Sequence, residues 1–243
     1  MCYTFILSID TGLSMKDLLS KMRGKKKTDK DSENSEKLSL EPSIDTQEKQ
    51  TKAQPYLLSE KLTGKLLIAS PDMQDPRFSR TVIYICSHTK SSGSVGFIIN
   101  RVLGDVNLAM LLEQLSIDVQ PEFANTPVQL GGPLEIRRGF VLHSDDYIGI
   151  STMQINNHIA VTSTSEILKD IAQGKGPKNS MLILGYAGWT QGQLEQELKL
   201  GGWLTVESDH NILFNYPMDS KWKQALTKLG VQPGLLSSSQ GTA

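Results

Sequence analysis

In the segment "TVIYICSH", Cys86 and His88 stand two residues apart. Alternate side chains of a strand project from one face, so an exposed strand end would set a thiol beside an imidazole, the pair that makes a nucleophile and its general base. His143, in "GFVLHS", is a second candidate partner for that thiol. Against this chemistry, both faces of "TVIYIC" are apolar, the pattern of a cysteine packed as a small hydrophobe.

The stretch "ILGYAGWTQGQLEQEL" superficially resembles the G-x-S-x-G elbow of hydrolases, but its middle position is Ala187 and its last is Trp189, so it carries no nucleophile. It also lacks the Lys-Ser/Thr ending of a phosphate loop and the spacing of a dinucleotide fingerprint. Local geometry supplies another reading. Thr190 and Gln193 have the spacing of a capping box, and Trp189 can staple onto Leu194 across the start of a helix. Glu195 and Glu197 nearby oppose an anion at that helix start.

Two glycines and a proline, Gly131, Gly132 and Pro133, separate the apolar runs "VQL" and "GFVLHS". Glycine permits positive φ and proline stops a ladder, so a turn is the first reading; backbone amides there could also form an anion nest helped by Arg137 or Arg138. The proline-punctuated connection "ASPDMQDPRFSR" offers Arg77 and Arg80 to a groove. Candidate ligand-binding residues are therefore Arg80, Gly131, Gly132, Arg138, Tyr186 and Trp189. Neither metal nor cofactor is expected, because His88, His143, His158 and His210 are scattered and no C-x-x-C accompanies them. Asp145 and Asp146 read as a solvated connection after a strand.

These residues must be held by something, and composition says what. A chain of 243 residues, 38% hydrophobic and 21% charged, can bury a real core. Its longest apolar runs fall well short of the ~20 residues a bilayer crossing needs, and "MCYTFILSIDTGL" lacks the features of a secretory signal. With only Cys2 and Cys86, no structural disulfide is expected, which suits the cytoplasm.

Residues 1–54 hold 10 Lys+Arg against 9 Asp+Glu, which leaves 15 against 17 for the remainder and no basic excess of the kind that grips phosphates. Residues 1–55 are expected to form a disordered, charged tail. Their polar composition buries too little to offset ordering, and the basic cluster Arg23, Lys25, Lys26 and Lys27 reads as solvated.

From residue 56 to 243 the pattern is one α+β domain. Strand-like runs are "KLLIAS", "TVIYICSH", "VGFIINR", "VQL", "GFVLHS", "HIAVTST", "SMLILGY", "WLTVE" and "NILF". About four helices fit among them. Leu108, Leu111, Leu112 and Leu115 make one stripe; Ser163 and Glu166 cap a second helix that stops at Gly174; the third follows Thr190; and the last runs from Asp219 to Gly230. Short turns such as "SSGSVG" require antiparallel pairs within the sheet.

Taken together, "GKLLIASPDMQDPRFSRTVIYICSH", "GSVGFIINR", "LGGPLEIRRGFVLHSDDY" and "LGYAGWTQGQLEQEL", in that order, resemble the YqgE/AlgH family of bacterial proteins, in its alphaproteobacterial form. The resemblance implies a single compact domain with a strongly curved, partly barrel-like mixed sheet. It implies little chemistry; the name AlgH reflects a regulatory role in alginate production, and so transcriptional regulation. Many relatives resemble Cys-Glu-His where this chain has Cys86-Ser87-His88, which removes a carboxylate that could orient the imidazole. No helix-turn-helix with a basic recognition helix is legible, so direct DNA binding is not expected.

The leading expectation is a non-enzymatic cytoplasmic binding or regulatory module, with a protein or small-molecule partner in a groove near Pro71, Gly131 and Tyr186. Two alternatives stay open: an enzyme or redox sensor using Cys86, and a transcription-linked regulator that binds nucleic acid.

Overall fold

The computed structural model describes residues 62–231. The tail and its boundary near residue 55 lie outside the described residues. Strands β1 (Lys65–Ala69), β2 (Val82–Thr89), β3 (Gly93–Ile98), β4 (Val102–Asn107), β5 (Pro127–Leu130), β6 (Leu134–Ser144), β7 (Met153–Gln154), β8 (Ile159–Thr162), β9 (Ser180–Trp189) and β10 (Trp203–Glu207) form one sheet. Its main order is β10-β1-β2-β3-β9-β6-β8-β7, and β4 pairs with β5, which pairs with β9.

All pairs are antiparallel except β5 with β9, so the sheet is mixed. It curls into a half-barrel within a single α+β domain. Strand β9 is the hub. It carries β6 along one edge, and β5 and β3 in succession along the other.

Period-2 alternation serves a sheet covered on both faces. In β1, Leu66 and Ile68 join the inner cluster with Tyr84, Cys86, Phe97 and Phe140, while Leu67 and Ala69 join an outer cluster with Ile83, Ile85, Trp189 and Trp203. A second outer cluster lies under α1 (Leu108–Glu113) and α3 (Ser165–Ala172), where Leu108, Leu111, Ile167 and Ile171 meet Leu182 and Leu184. The remaining helices are α2 (Pro121–Ala124), α4 (Gln193–Lys199) and α5 (Lys221–Lys228), so the four expected helices are present and α2 is added.

The run "NILF" differs from expectation. Asn211–Asn215 is a π-helical turn rather than a strand. Asp209 Oδ1 accepts the amides of Asn211 and Ile212 and starts the turn, while Ile212 and Leu213 still enter the inner core. In an α-helical continuation the donor to the Leu213 carbonyl would be residue 217, which is a proline without an N–H. The buried Lys221 ammonium donates to that carbonyl instead, and desolvation brings the amine down to about 8.

Candidate functional site

Two bulges decide which candidate residues meet. Along β2, Ile85 pairs with Gly96 but Ser87 pairs with Val95, so Cys86 is one residue too many and the alternation shifts phase. Cys86 stays on the inner face with Tyr84, whereas His88 pairs with Ser94, whose other neighbour, Trp189, lies on the outer face. The expected shared face of Cys86 and His88 is thereby lost. Cys86 is 2% exposed, its Sγ has only the Tyr84 carbonyl at 3.7 Å, and burial pushes its thiol well up, away from the thiolate a nucleophile needs.

His88 is occupied elsewhere. Its Nδ1 lies 2.8 Å from the Ser94 hydroxyl and its Nε2 lies 3.7 Å from Glu195 on α4. That carboxylate comes from a distant segment, where the local sequence had none to offer. Ser94 is fully buried, so the set resembles an acyl-transfer triad in composition only; no reacting atom could reach the hydroxyl. Desolvation lowers the His88 pKa, against the pull of Glu195.

His143 is fully buried on β6, on its own. Its Nδ1 faces the Ser144 carbonyl at 2.8 Å, and since a carbonyl only accepts, Nδ1 carries the hydrogen. Its Nε2 then accepts from Thr162 at 2.9 Å, Thr162 accepts from Thr152 at 2.7 Å, and Thr152 accepts the Gly149 amide at 3.0 Å. The chain closes on itself with a neutral imidazole, whose pKa desolvation lowers.

The second bulge is in "LGYAGW". Leu182 and Leu184 face outward, Tyr186 faces inward, and Ala187 and Trp189 face outward again. Gly185, at φ +73°, makes the shift, and a Cβ there would meet the Gly132 carbonyl at 2.7 Å. Gly131 and Gly132 serve the same close approach. A Cβ on Gly132 would lie 2.2 Å from the Tyr186 backbone, and the Gly131 amide is spent on Leu184. An anion nest thus loses one of its donors.

Tyr186 is buried inward, its hydroxyl 3.4 Å from Glu135 and pushed up to about 12, chiefly by burial. Arg138 pairs with Glu135 and lies over Phe140. Arg80, at φ +55°, lies over Trp222. Of the expected ligand-binding residues only Trp189 lines the open groove at the end of β9.

That groove, about 480 Å³, opens where the β1–β2 connection, the start of β6, the end of β9, α4 and β10 meet. Its floor is aromatic. Trp189 and Trp203 stand edge to face at 6.0 Å, and Phe78 meets Trp203 at 5.6 Å. One carboxylate holds both indoles: Glu197 Oε2 accepts Trp189 Nε1 at 2.9 Å and Trp203 Nε1 at 2.8 Å, while its Oε1 accepts Gln193 Nε2 at 2.9 Å.

The expected capping box is half made. Gln193 Oε1 accepts the Thr190 amide at 3.1 Å, but left-handed Gly192 precedes the first helical residue, and Trp189 and Leu194 pack in one cluster as the staple requires. The opposite wall is the expected connection after Pro71. Asp75 takes the Arg77 guanidinium through both oxygens, at 2.6–3.1 Å, and the guanidinium holds the Asp75 carboxyl below the usual range.

Exposed Leu134 and Leu200 form apolar rims. Three carboxylates, Asp72, Asp75 and Glu197, face a single guanidinium, Arg77. Sequence reading missed Glu197 and Trp203 as site residues. Gln193 and Glu197, one helical turn apart behind Trp189, were the available signal. Among the described residues no cluster could hold a metal ion, and no helix is long and apolar enough to cross a membrane.

Residues 66–234 match the AlgH-like family model. A protein of Ruegeria pomeroyi is 49% identical over 75% of this chain and 99% of its own length, and one of Jannaschia is 46% identical over 76% and 97%. The solution structure of the AlgH protein from Pseudomonas aeruginosa is 38% identical, with a TM-score of 0.63 over 80% of this chain and all of that one. A crystal structure from Corynebacterium diphtheriae, 21% identical with a TM-score of 0.55 over 69% of this chain and 86% of its own, shares the fold.

Proposed function

The chain belongs to the AlgH-like family, and we propose that it works as a non-enzymatic binding module whose aromatic groove takes a short segment of a protein partner bearing apolar and basic side chains. The observation that carries this is the Glu197 clasp. A carboxylate that fixes two indoles by their edges holds the packed, 3%-exposed Trp189–Trp203 pair as a rigid floor beneath the groove, so binding need not order those side chains anew. Apolar rims and an excess of carboxylates favour a partner that is greasy on one side and cationic on the other.

The same reading puts the protein in the cytoplasm and gives it a regulatory part in transcription through a protein partner rather than through DNA, in line with the absence of a basic excess beyond residue 54. Residues 1–55 are, on this reading, an appended segment outside the module.

The test is calorimetric titration of the protein with an amphipathic peptide carrying Leu on one side and Lys on the other, against the same peptide with Lys exchanged for Glu. The Lys peptide binds, more weakly as salt rises, and the Glu peptide does not. Equal binding of both, or of neither, rejects the groove as a peptide site.

A further inference from the structure

The groove has a candidate occupant in its own chain. Residues 15–27, "MKDLLSKMRGKKK", place Met15, Leu18, Leu19 and Met22 at i, i+3, i+4 and i+7, the spacing of one apolar helical side. The same thirteen residues hold Lys16, Lys21, Arg23, Lys25, Lys26 and Lys27 against one acidic residue, Asp17. Relatives matched over 97–99% of their own length align with only 75–76% of this chain. With the family match beginning at residue 66, much of the unmatched length lies ahead of the shared domain.

We infer that this basic amphipathic segment docks in the Trp189–Trp203 groove of its own chain and competes there with the partner; the inference rests on the reading of that groove as a peptide site. Charge and shape agree. The groove sets Asp72, Asp75 and Glu197 against Arg77 between apolar rims at Leu134 and Leu200, and the segment combines an apolar stripe with six basic residues against one acidic.

The path agrees as well. Leu62, the first described residue, is buried in the cluster that contains Trp189 and Trp203 but stands before the start of β1, whereas the groove lies past the other end of that strand, where Ala69 pairs with Trp203, so the linker has to cover the length of β1. Residues 28–61 would span about 30 Å as a flexible chain, comparable with the domain's own diameter. Tethering then supplies the segment at an effective concentration on the order of millimolar, enough to fill a site that binds it only weakly when free.

Paramagnetic labelling of the full chain tests this. With Cys2→Ser removing the tail thiol, a nitroxide on Ser14→Cys broadens the indole N–H signals of Trp189 and Trp203 more strongly than that of Trp222, which lies on the other face of the sheet; high salt, or Lys25→Glu with Lys26→Glu and Lys27→Glu, restores them. The charge-reversed full chain also binds a synthetic peptide of residues 15–27 more tightly than wild type does, by roughly five- to tenfold, because the tethered competitor is gone.

Equal broadening of all three indoles, or none, together with equal peptide affinity in the two chains, overturns docking in cis while leaving the groove reading intact. A peptide that binds neither chain nor shifts Trp189 or Trp203 overturns both.

Discussion

Two polar clusters set in apolar surroundings, the hydroxyl–imidazole chain at His143 and the carboxylate–indole clasp at Glu197, are built from the same kind of hydrogen bond and differ in what they leave over. From Gly149 through Thr152 and Thr162 to His143 and the Ser144 carbonyl, each donor meets an acceptor, and His143 and Thr162 are wholly shielded from solvent. Such a chain fixes strand β6 against β8 and offers nothing to a ligand. At Glu197 the bonds are spent on the edges of two indoles, and the space beside them opens as a groove. A saturated polar network is scaffold when closed and becomes a site when it braces a surface that stays open.

The largest expected effect strikes the sheet that both clusters share. Gly132→Ala puts a methyl 2.2–2.4 Å from the Tyr186 and Ala187 backbone at φ +155°, so a loss of about 3 kcal/mol or more is expected, seen as a collapse of the urea midpoint and of soluble yield. Thr162→Val comes next and separates the clusters. It leaves His143 Nε2 and the Thr152 hydroxyl without partners, at a cost of about 2–3 kcal/mol in urea unfolding, yet peptide affinity per folded molecule is unchanged.

Glu197→Gln is the mirror experiment. Its amide oxygen can still accept both indoles, but its NH2 then meets the Gln193 Nε2 donor, so stability falls by about 1–2 kcal/mol, and the lost charge weakens the Lys peptide roughly tenfold at low salt.

Much of the fold was legible in the sequence because its apolar patterns were strong. The helical stripe at Leu108, Leu111 and Leu112 and the continuous apolar run in "KLLIA", buried on both faces of the sheet, answer directly to burial on a core. Face assignments beyond a bulge were not legible. Nothing local to "YICSH" says that Cys86 is an extra residue; that depends on Val95 and Gly96 in the partner strand. "NILF" is apolar and β-branched enough for a strand, and its π-turn comes from Asp209 before it and Pro217 after it.

The groove was half visible. The Pro71 connection and Trp189 stood out, but Trp203 and Glu197 gain meaning only when β10 and α4 bring them together.

A smaller effect concerns protons. Desolvation lowers both His143 and His88 from 6.5, so between their folded and unfolded values the unfolded chain binds more protons than the folded one, and stability falls as pH drops below 6.5. Urea midpoints from about pH 7.5 to about 5.5 should therefore decline, and less steeply in His143→Gln, while Glu197→Gln keeps the wild-type slope. The smallest effect is kinetic. In Cys2→Ser protein, iodoacetamide should leave Cys86 unmodified until denaturant is added, since the thiol is 2% exposed.

The account turns on which of the three tryptophans faces a ligand. A proton–nitrogen spectrum recorded while the Lys-bearing amphipathic peptide is added should show the Trp189 and Trp203 indole N–H signals moving together, with Trp222, bonded to the Ala69 carbonyl, unmoved. Movement of Trp222 alone, or of no indole at all under saturating peptide, would contradict it.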